Sequence, residues 1–374
     1  MVTESEETLR HFESPRLTFG RGTADIPLVT VSRSRQLAAD LVLEGGGVKG
    51  IALVGAISVL EERGYGFRRV AGTSAGAIVG ALVASGMRAQ DLNEVMGSVD
   101  YKRFRDGDLL DHLGAFGKAA SVLIDEGIYR GEYLRGWLGE LLRDRGVRTF
   151  EDLVLDDRGG SVPREQAYRL VVMASDVSQG RLRRLPWDYR ERYGLDPFAV
   201  PVVDAVRASM SIPFFYEPVK LNDRLVDQTC WLVDGGMLSN FPVDVFDRAD
   251  GAPPRWPTFG IKLSTRAGAL QGVSNDVHGA ISLARAMVAT MTSFHDQLHL
   301  DDPAVVARTI FVDTLNVRAT DFDIDRSTQQ QLYDSGRRAA TKFLDGGDGR
   351  PGWDFADYVA RHRSAGTVTE HAPV

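Results

Sequence analysis

Apolar and polar positions alternate between two periods along this chain. Leu41-Val42-Leu43-Glu44 reads as a short buried strand. It runs through a glycine-rich hexapeptide into a helical pattern over residues 51–63, closed by Gly64. Tyr65, Phe67, Val70 and Ala71 make a second strand, followed by a small-residue helix over Ala77-Ile78-Val79-Gly80-Ala81-Leu82-Val83-Ala84. Strand, helix, strand, helix in this order predicts an α/β fold with a central, mainly parallel sheet and helices on both faces. Residues 87–125 are mixed, broken by Gly107, Gly114 and Gly117, and read equally as a lid or membrane-facing cap and as surface helices. Residues 128–143 repeat at helical spacing, and 169–174 form another buried strand ending at Ser175-Asp176, where Asp176 is expected to brace a loop. A helix over 205–212 should stop at Pro213. Trp231-Leu232-Val233 leads as a strand into Asp234-Gly235-Gly236, and 257–263 reads as the last strand of the main sheet. Beyond it come a helix over 275–300, a short strand over 308–313 and a helix over 327–345 ending at Gly346-Gly347. Residues 1–38 and 348–374 are polar, an arm and a loose tail.

The candidate chemistry begins at Gly72-Thr73-Ser74-Ala75-Gly76, a G-x-S-x-G placed between a strand and a helix. That context makes a nucleophile elbow, in which a sharp turn projects the serine oxygen and crowds the residues two before and two after. Gly72 and Gly76 meet that demand, and the helix start aims free N–H groups at the reacting oxygen. Gly45-Gly46-Gly47-Val48-Lys49-Gly50 also fits the dinucleotide pattern G-x-G-x-x-G, so a nucleotide-binding module is the competing reading. A dinucleotide site wants an acid at the end of the next strand, and here that strand enters the serine turn instead. Backbone donors facing a developing oxyanion fit the context better. Asp234 ends an apolar strand and opens a Gly-Gly turn, a working position in α/β sheets, although an Asp before Gly-Gly is also ordinary turn chemistry.

Composition narrows the class. The chain has 374 residues with a net charge of −7, which argues against a nucleic-acid partner. The single Cys230 excludes an intramolecular disulfide and fits a reducing, cytoplasmic compartment. No apolar run reaches the roughly 18 residues of a membrane span. His278, His295 and His299 follow Asp234, so a Ser-Asp-His order is possible in principle. All three fall on an expected helix, and Asp296 breaks the zinc-helix pattern between the last two.

The glycine hexapeptide, the serine elbow and Asp234-Gly235-Gly236, in that order, resemble the patatin-like phospholipase family. Ala208-Ser209-Met210-Ser211-Ile212-Pro213, Asn240 and Pro242 extend the likeness over residues 40–247. The resemblance implies a patatin-like three-layer sandwich over 40–247; outside it, the chain's own pattern gives 1–38 as an N-terminal arm, a C-terminal helical addition over 248–347 packed on the same domain, and the tail at 348–374. It implies a Ser74–Asp234 dyad, with Ser74 as nucleophile, Asp234 as base and the N–H groups of Gly46 and Gly47 as oxyanion hole. Gly45, Gly50, Gly72, Gly76, Gly235 and Gly236 shape the motif loops. Lys49 stands where the family has a basic residue, and we assign it a structural role. The expected reaction is hydrolysis of carboxylic esters in phospholipids or lysophospholipids, without metal or cofactor, during transient contact with a membrane surface. A catalytically silent scaffold with this fold is the third reading.

Overall fold

The structure, a computed structural model, describes residues 36–104, 129–157, 162–264, 302–319, 321–347 and 349–363, with isolated positions between them. Its elements in chain order are β1 (Leu37–Leu43), α1 (Ile51–Glu62), β2 (Tyr65–Gly72), α2 (Ala75–Ala84), α3 (Ala89–Ser98), α4 (Glu132–Asp144), β3 (Leu170–Asp176), β4 (Arg181–Leu185), α5 (Trp187–Tyr193), α6 (Val202–Ser209), β5 (Val219–Asp223), β6 (Gln228–Asp234), β7 (Thr258–Lys262), α7 (Pro303–Ala307), β8 (Thr309–Phe311), α8 (Arg326–Asp345) and α9 (Phe355–His362). All of these lie in one unit, Arg35–Val374.

Eight strands make one sheet, with neighbours in the order β5-β6-β3-β2-β1-β7-β8 and β4 also paired with β3. The β1–β2, β2–β3, β1–β7 and β7–β8 pairs are parallel, while β4, β5 and β6 run antiparallel to their neighbours. The sheet is therefore mixed, mostly parallel and flanked by helices, the α/β architecture expected. Register explains which side chains meet which layer. Leu41 and Leu43 of β1 stand beside Val70 and Gly72 of β2. Gly80 of α2 closes directly onto Leu43, Val70 and Leu170. On the opposite face Val42 stands beside Ala71 and Gly260, and Phe241 and Val243 close onto Gly260. Strands buried on both faces read as continuous apolar runs, which is why β1 and β3 were visible as such.

One register detail organises the site. Val172 of β3 pairs with Gly72 on one edge and Leu185 of β4 on the other. Ala174, two residues on, pairs with Arg183 of β4 and with Asp234 of β6. Because β4 holds the same edge throughout, β2 and β6 must share the other edge. The parallel strand β2 leaves that edge at the serine turn. The antiparallel β6 arrives along it from the opposite direction and leaves at Asp234. The two strands thus meet end to end.

Several boundaries differ from the sequence expectation. β1 starts at Leu37, so the last two arm positions belong to the sheet. The helix before Pro213 ends at Ser209, three residues early, and Met210 caps it. β7 is not the last strand of the main sheet, because β8 pairs with it in parallel. The segment expected to be a loose tail contains α9, whose Tyr358 is buried near Trp353. α8 packs on α1 at small residues: a Cβ on Gly55 would lie 2.0 Å from the Tyr333 carbonyl oxygen. Of the 87–125 region, 105–128 lie outside the described residues. The described part turns Met87, Leu92, Met96, Val99, Tyr101 and Phe104 into the core, so it offers no apolar cap to a membrane. No described helix is long and apolar enough to cross a membrane.

Candidate active site

The turn between β2 and α2 puts Ser74 at φ 52° and ψ −124°, a left-handed backbone that only glycine adopts without strain. Its surroundings enforce that turn. A Cβ on Gly72 would lie 2.2 Å from the Gly76 carbonyl oxygen, and one on Gly76 would lie 2.4 Å from the Leu43 carbonyl oxygen. Both glycines are therefore required by contact. Ser74 is the N-cap of α2, whose first-turn N–H groups add positive potential at its side chain.

Asp234 reaches the same place at the end of β6. Its carboxylate accepts the Gly236 N–H at 2.8 Å. Burial is the dominant influence and raises its pKa from 3.8 to about 6, with the Gly236 N–H and the nearby Ser74 side chain favouring the ionised form and pulling the other way. Ser74 Oγ also lies 3.5 Å from Met210 Sδ, a poor acceptor beside a carboxylate. Both Ser74 and Asp234 are buried.

The glycine loop roofs this pair. Gly47 has φ +55°, and a Cβ on it would lie 1.9 Å from the Ala319 carbonyl oxygen, so no side chain fits. Val48 N–H donates to that same oxygen at 3.1 Å. Among the described residues, the N–H groups of Gly46 and Gly47 donate to nothing, which leaves them for a ligand. Asn240 sews the loops together: its Nδ2 donates to the Gly45 carbonyl at 3.1 Å, and its own carbonyl accepts the Gly45 N–H at 3.3 Å. Beneath the loop, Glu44 and Lys262 form a buried ion pair, and Glu44 also accepts the Leu263 N–H. Lys49 sits beside this pair. Burial holds its ammonium below the usual range, partly opposed by Glu44. Lys49 is partly buried beside that pair.

A short segment at the end of α6 braces both ends of the dyad. Ser74 N–H donates to Ser209 Oγ at 2.9 Å. Asp234 N–H donates to the Ser211 carbonyl at 2.8 Å. Arg207 steadies the segment, donating to Ser211 Oγ at 2.5 Å and from its other nitrogens to the carbonyls of Arg130 and Glu217. The sequence block Ala208–Pro213 was noticed as part of a resemblance, but these roles were not. Its signal was two small hydroxyl residues flanking Met210, just after an arginine on an apolar helix face.

The structure thus brings Ser74, Asp234, Gly45, Gly46, Gly47, Gly72, Gly76 and Gly236 into one neighbourhood. A Cβ on Gly50 would lie 3.3 Å from that of Ala75 at the start of α2, and one on Gly235 would lie 2.4 Å from the Met173 carbonyl oxygen, so both act by close backbone packing. Asp176 does brace a turn: it accepts the Ser178 and Gln179 N–H groups and the Tyr193 hydroxyl. His278 is exposed, and His295 and His299 lie outside the described residues.

The family described as patatin-like phospholipase matches residues 41–247. Uncharacterized protein YqhO of Bacillus subtilis (strain 168) is 37% identical over 310 residues, covering 82% of this chain and 97% of that one. Lysophospholipase nte1 of Aspergillus niger is 30% identical over 205 residues, 54% of this chain and 11% of that protein. Among solved structures, VipD from Legionella pneumophila aligns with a TM-score of 0.47 at 18% identity, over 83% of this chain and 67% of that one.

Proposed function

The chain belongs to the patatin-like phospholipase family, and on that premise we propose that it is a serine acyl hydrolase cleaving carboxylic esters of phospholipids or lysophospholipids. The observation that supports this reading is the strained turn serine, Ser74, brought into one neighbourhood with Asp234, a buried carboxylate whose pKa is raised to about 6. A base of that affinity is ionised at neutral pH, yet holds a proton far better than an exposed aspartate.

In this mechanism Ser74 Oγ attacks the ester carbonyl carbon while Asp234 takes its proton. The carbonyl oxygen becomes an oxyanion facing the N–H groups of Gly46 and Gly47, where fixed dipoles stabilise charge without reorganising. Collapse breaks the ester bond, and Asp234 returns the proton to the departing alkoxide oxygen. A water molecule, deprotonated by Asp234, then attacks the acyl-Ser74 carbonyl, and as the fatty acid leaves Asp234 returns that proton to Ser74 Oγ. Ser209, Ser211 and Asn240 hold these groups in register. Every group the scheme uses is supplied by this chain.

Labelling with a serine-directed fluorophosphonate tests the proposal. The wild-type protein should label and release fatty acid from phospholipid or lysophospholipid, and Ser74→Ala should do neither. Equal labelling or equal turnover by Ser74→Ala would overturn the assignment.

A further inference from the structure

A protein that works on lipids has to find a bilayer, and the expected cap over 87–125 does not offer an apolar face in its described part. A different surface does. An open cleft of about 570 Å³ lies at the β3–β4 turn, where Arg181, Arg183, Arg184 and Arg192 face a single acid, Asp188. Arg183 is committed to Tyr193, Gln179 and Asp176, and Arg184 lies 3.8 Å from Asp188. Arg181 and Arg192 are exposed and have no ion-pair partner among the described residues. Such a group of cations is notable on a chain whose net charge is −7.

The tip of the β5–β6 hairpin adjoins this cleft. Arg224 N–H donates to the Tyr193 carbonyl at 3.0 Å, next to Arg192. At the tip, Leu225 and Val226 are 58% and 64% exposed, and Val177 in the neighbouring β3–β4 turn is 45% exposed. Two consecutive aliphatics at a hairpin tip, with Arg224 before them, Asp227 after them, and Arg181 and Arg192 on the adjoining cleft, combine the two features that hold a protein at a bilayer surface: apolar insertion and attraction to anionic headgroups. The position also fits. The hairpin belongs to the strand that ends in Asp234, and six residue steps of β6 separate Gln228 from it, about 20 Å of strand. The tip therefore rises beyond the sheet edge at which Ser74 and Asp234 meet.

We propose that Leu225, Val226 and Val177, with Arg181, Arg192 and Arg224, form the surface by which this protein docks on an anionic lipid bilayer. The biological use of that surface rests on the hydrolase reading, but the binding itself does not. The contact is a tether. It concentrates the enzyme on its substrate phase and leaves the chemistry at Ser74 untouched.

Vesicle flotation in a Ser74→Ala background tests this, using phosphatidylcholine vesicles with and without phosphatidylglycerol. The protein should float only with the anionic vesicles, and added salt should release it. Replacing Arg181, Arg192 and Arg224 together with Gln should weaken binding about 100-fold. Leu225→Ser with Val226→Ser should weaken it about tenfold. Melting temperature should not change in either variant, because the altered side chains are exposed. In the Ser74-containing protein the same substitutions should raise the lipid concentration for half-maximal rate while sparing kcat and the hydrolysis of a soluble ester. Equal flotation with neutral vesicles, no flotation with either, or parental binding by both variants would each overturn the proposal. Binding without any hydrolysis by the Ser74 protein would sink the catalytic reading and leave this one standing.

Discussion

Replacing Asp234 by Asn should destroy turnover and make the folded protein more stable, in a way that depends on pH. The carboxyl pKa is raised from 3.8 to about 6, chiefly by burial. Its native form therefore binds a proton more tightly than the unfolded chain does. Wild-type stability from this group is fully present below about pH 4 and is lost as pH rises through about 6. The loss is roughly two pH units at about 1.4 kcal/mol each, or about 3 kcal/mol at pH 8. Asn cannot ionise, and its amide oxygen can still accept the Gly236 N–H that Asp234 now holds at 2.8 Å. Asp234→Asn should therefore gain up to about 3 kcal/mol at pH 8. With an unfolding entropy of about 0.8 kcal/mol per kelvin for a chain this long, that is a rise of about 4 °C in Tm. Thermal melts of both proteins between pH 4 and pH 8 measure it. The difference should be near zero at pH 4, grow between pH 4 and 7, and level off. A pH-independent difference, or a lower Tm for the variant at pH 8, would refute the claim that burial strains this carboxylate.

Other consequences follow from the same geometry. The rate on a soluble ester should fall on the acid side with a midpoint near pH 6, as Asp234 takes up its proton; a profile flat down to pH 4 would remove it as the base. Ser209→Ala leaves the Ser74 N–H without its buried acceptor and should lower kcat about tenfold, with KM nearly unchanged and partial recovery in Ser209→Thr. Gly47→Ala forces a Cβ against the Ala319 carbonyl in a left-handed backbone, and should cost at least about 100-fold in kcat, read against an unchanged circular dichroism spectrum. Chelator should leave fatty acid release intact, since the proposed chemistry runs on side chains and main-chain donors alone; loss of activity with EDTA, restored by a divalent ion, would contradict it.

Much of this was legible in the chain because the main features are local. A strand, a tight turn and a helix leave their mark within a dozen residues, and the glycines at 45–47, 72 and 76 are there because something presses against them. Asp234 was legible as a turn aspartate at a strand end. The strand's direction was not, since an antiparallel arrival looks the same in sequence as a parallel one. What the sequence hid were bonds between distant segments. Ser209 to Ser74, Ser211 to Asp234, and Glu44 to Lys262 are contacts over 135, 23 and 218 positions. Each partner is an ordinary hydroxyl, carbonyl or charge with no pattern of its own. The tail failed for a similar reason. α9 spans only eight residues, and its short stripe of Phe355, Tyr358 and Val359, with Tyr358 buried near Trp353, is too brief to stand out beside the polar tail.

The abutment of β2 and β6 along one side of β3 has a consequence for how such a chain can change. The two halves of the chemistry are each measured off the same ruler, two rungs apart, and neither is measured off the other. The polypeptide between Ala84 and Leu170, or between Asp176 and Gln228 outside the Arg207–Ser211 brace, is therefore slack as far as their alignment is concerned. Segments can be lengthened, shortened or exchanged there, giving new appetites for substrate or new places to work, while the reacting atoms keep their spacing. The positions that admit no such liberty are the few rungs of β3 and the short brace at Arg207–Ser211.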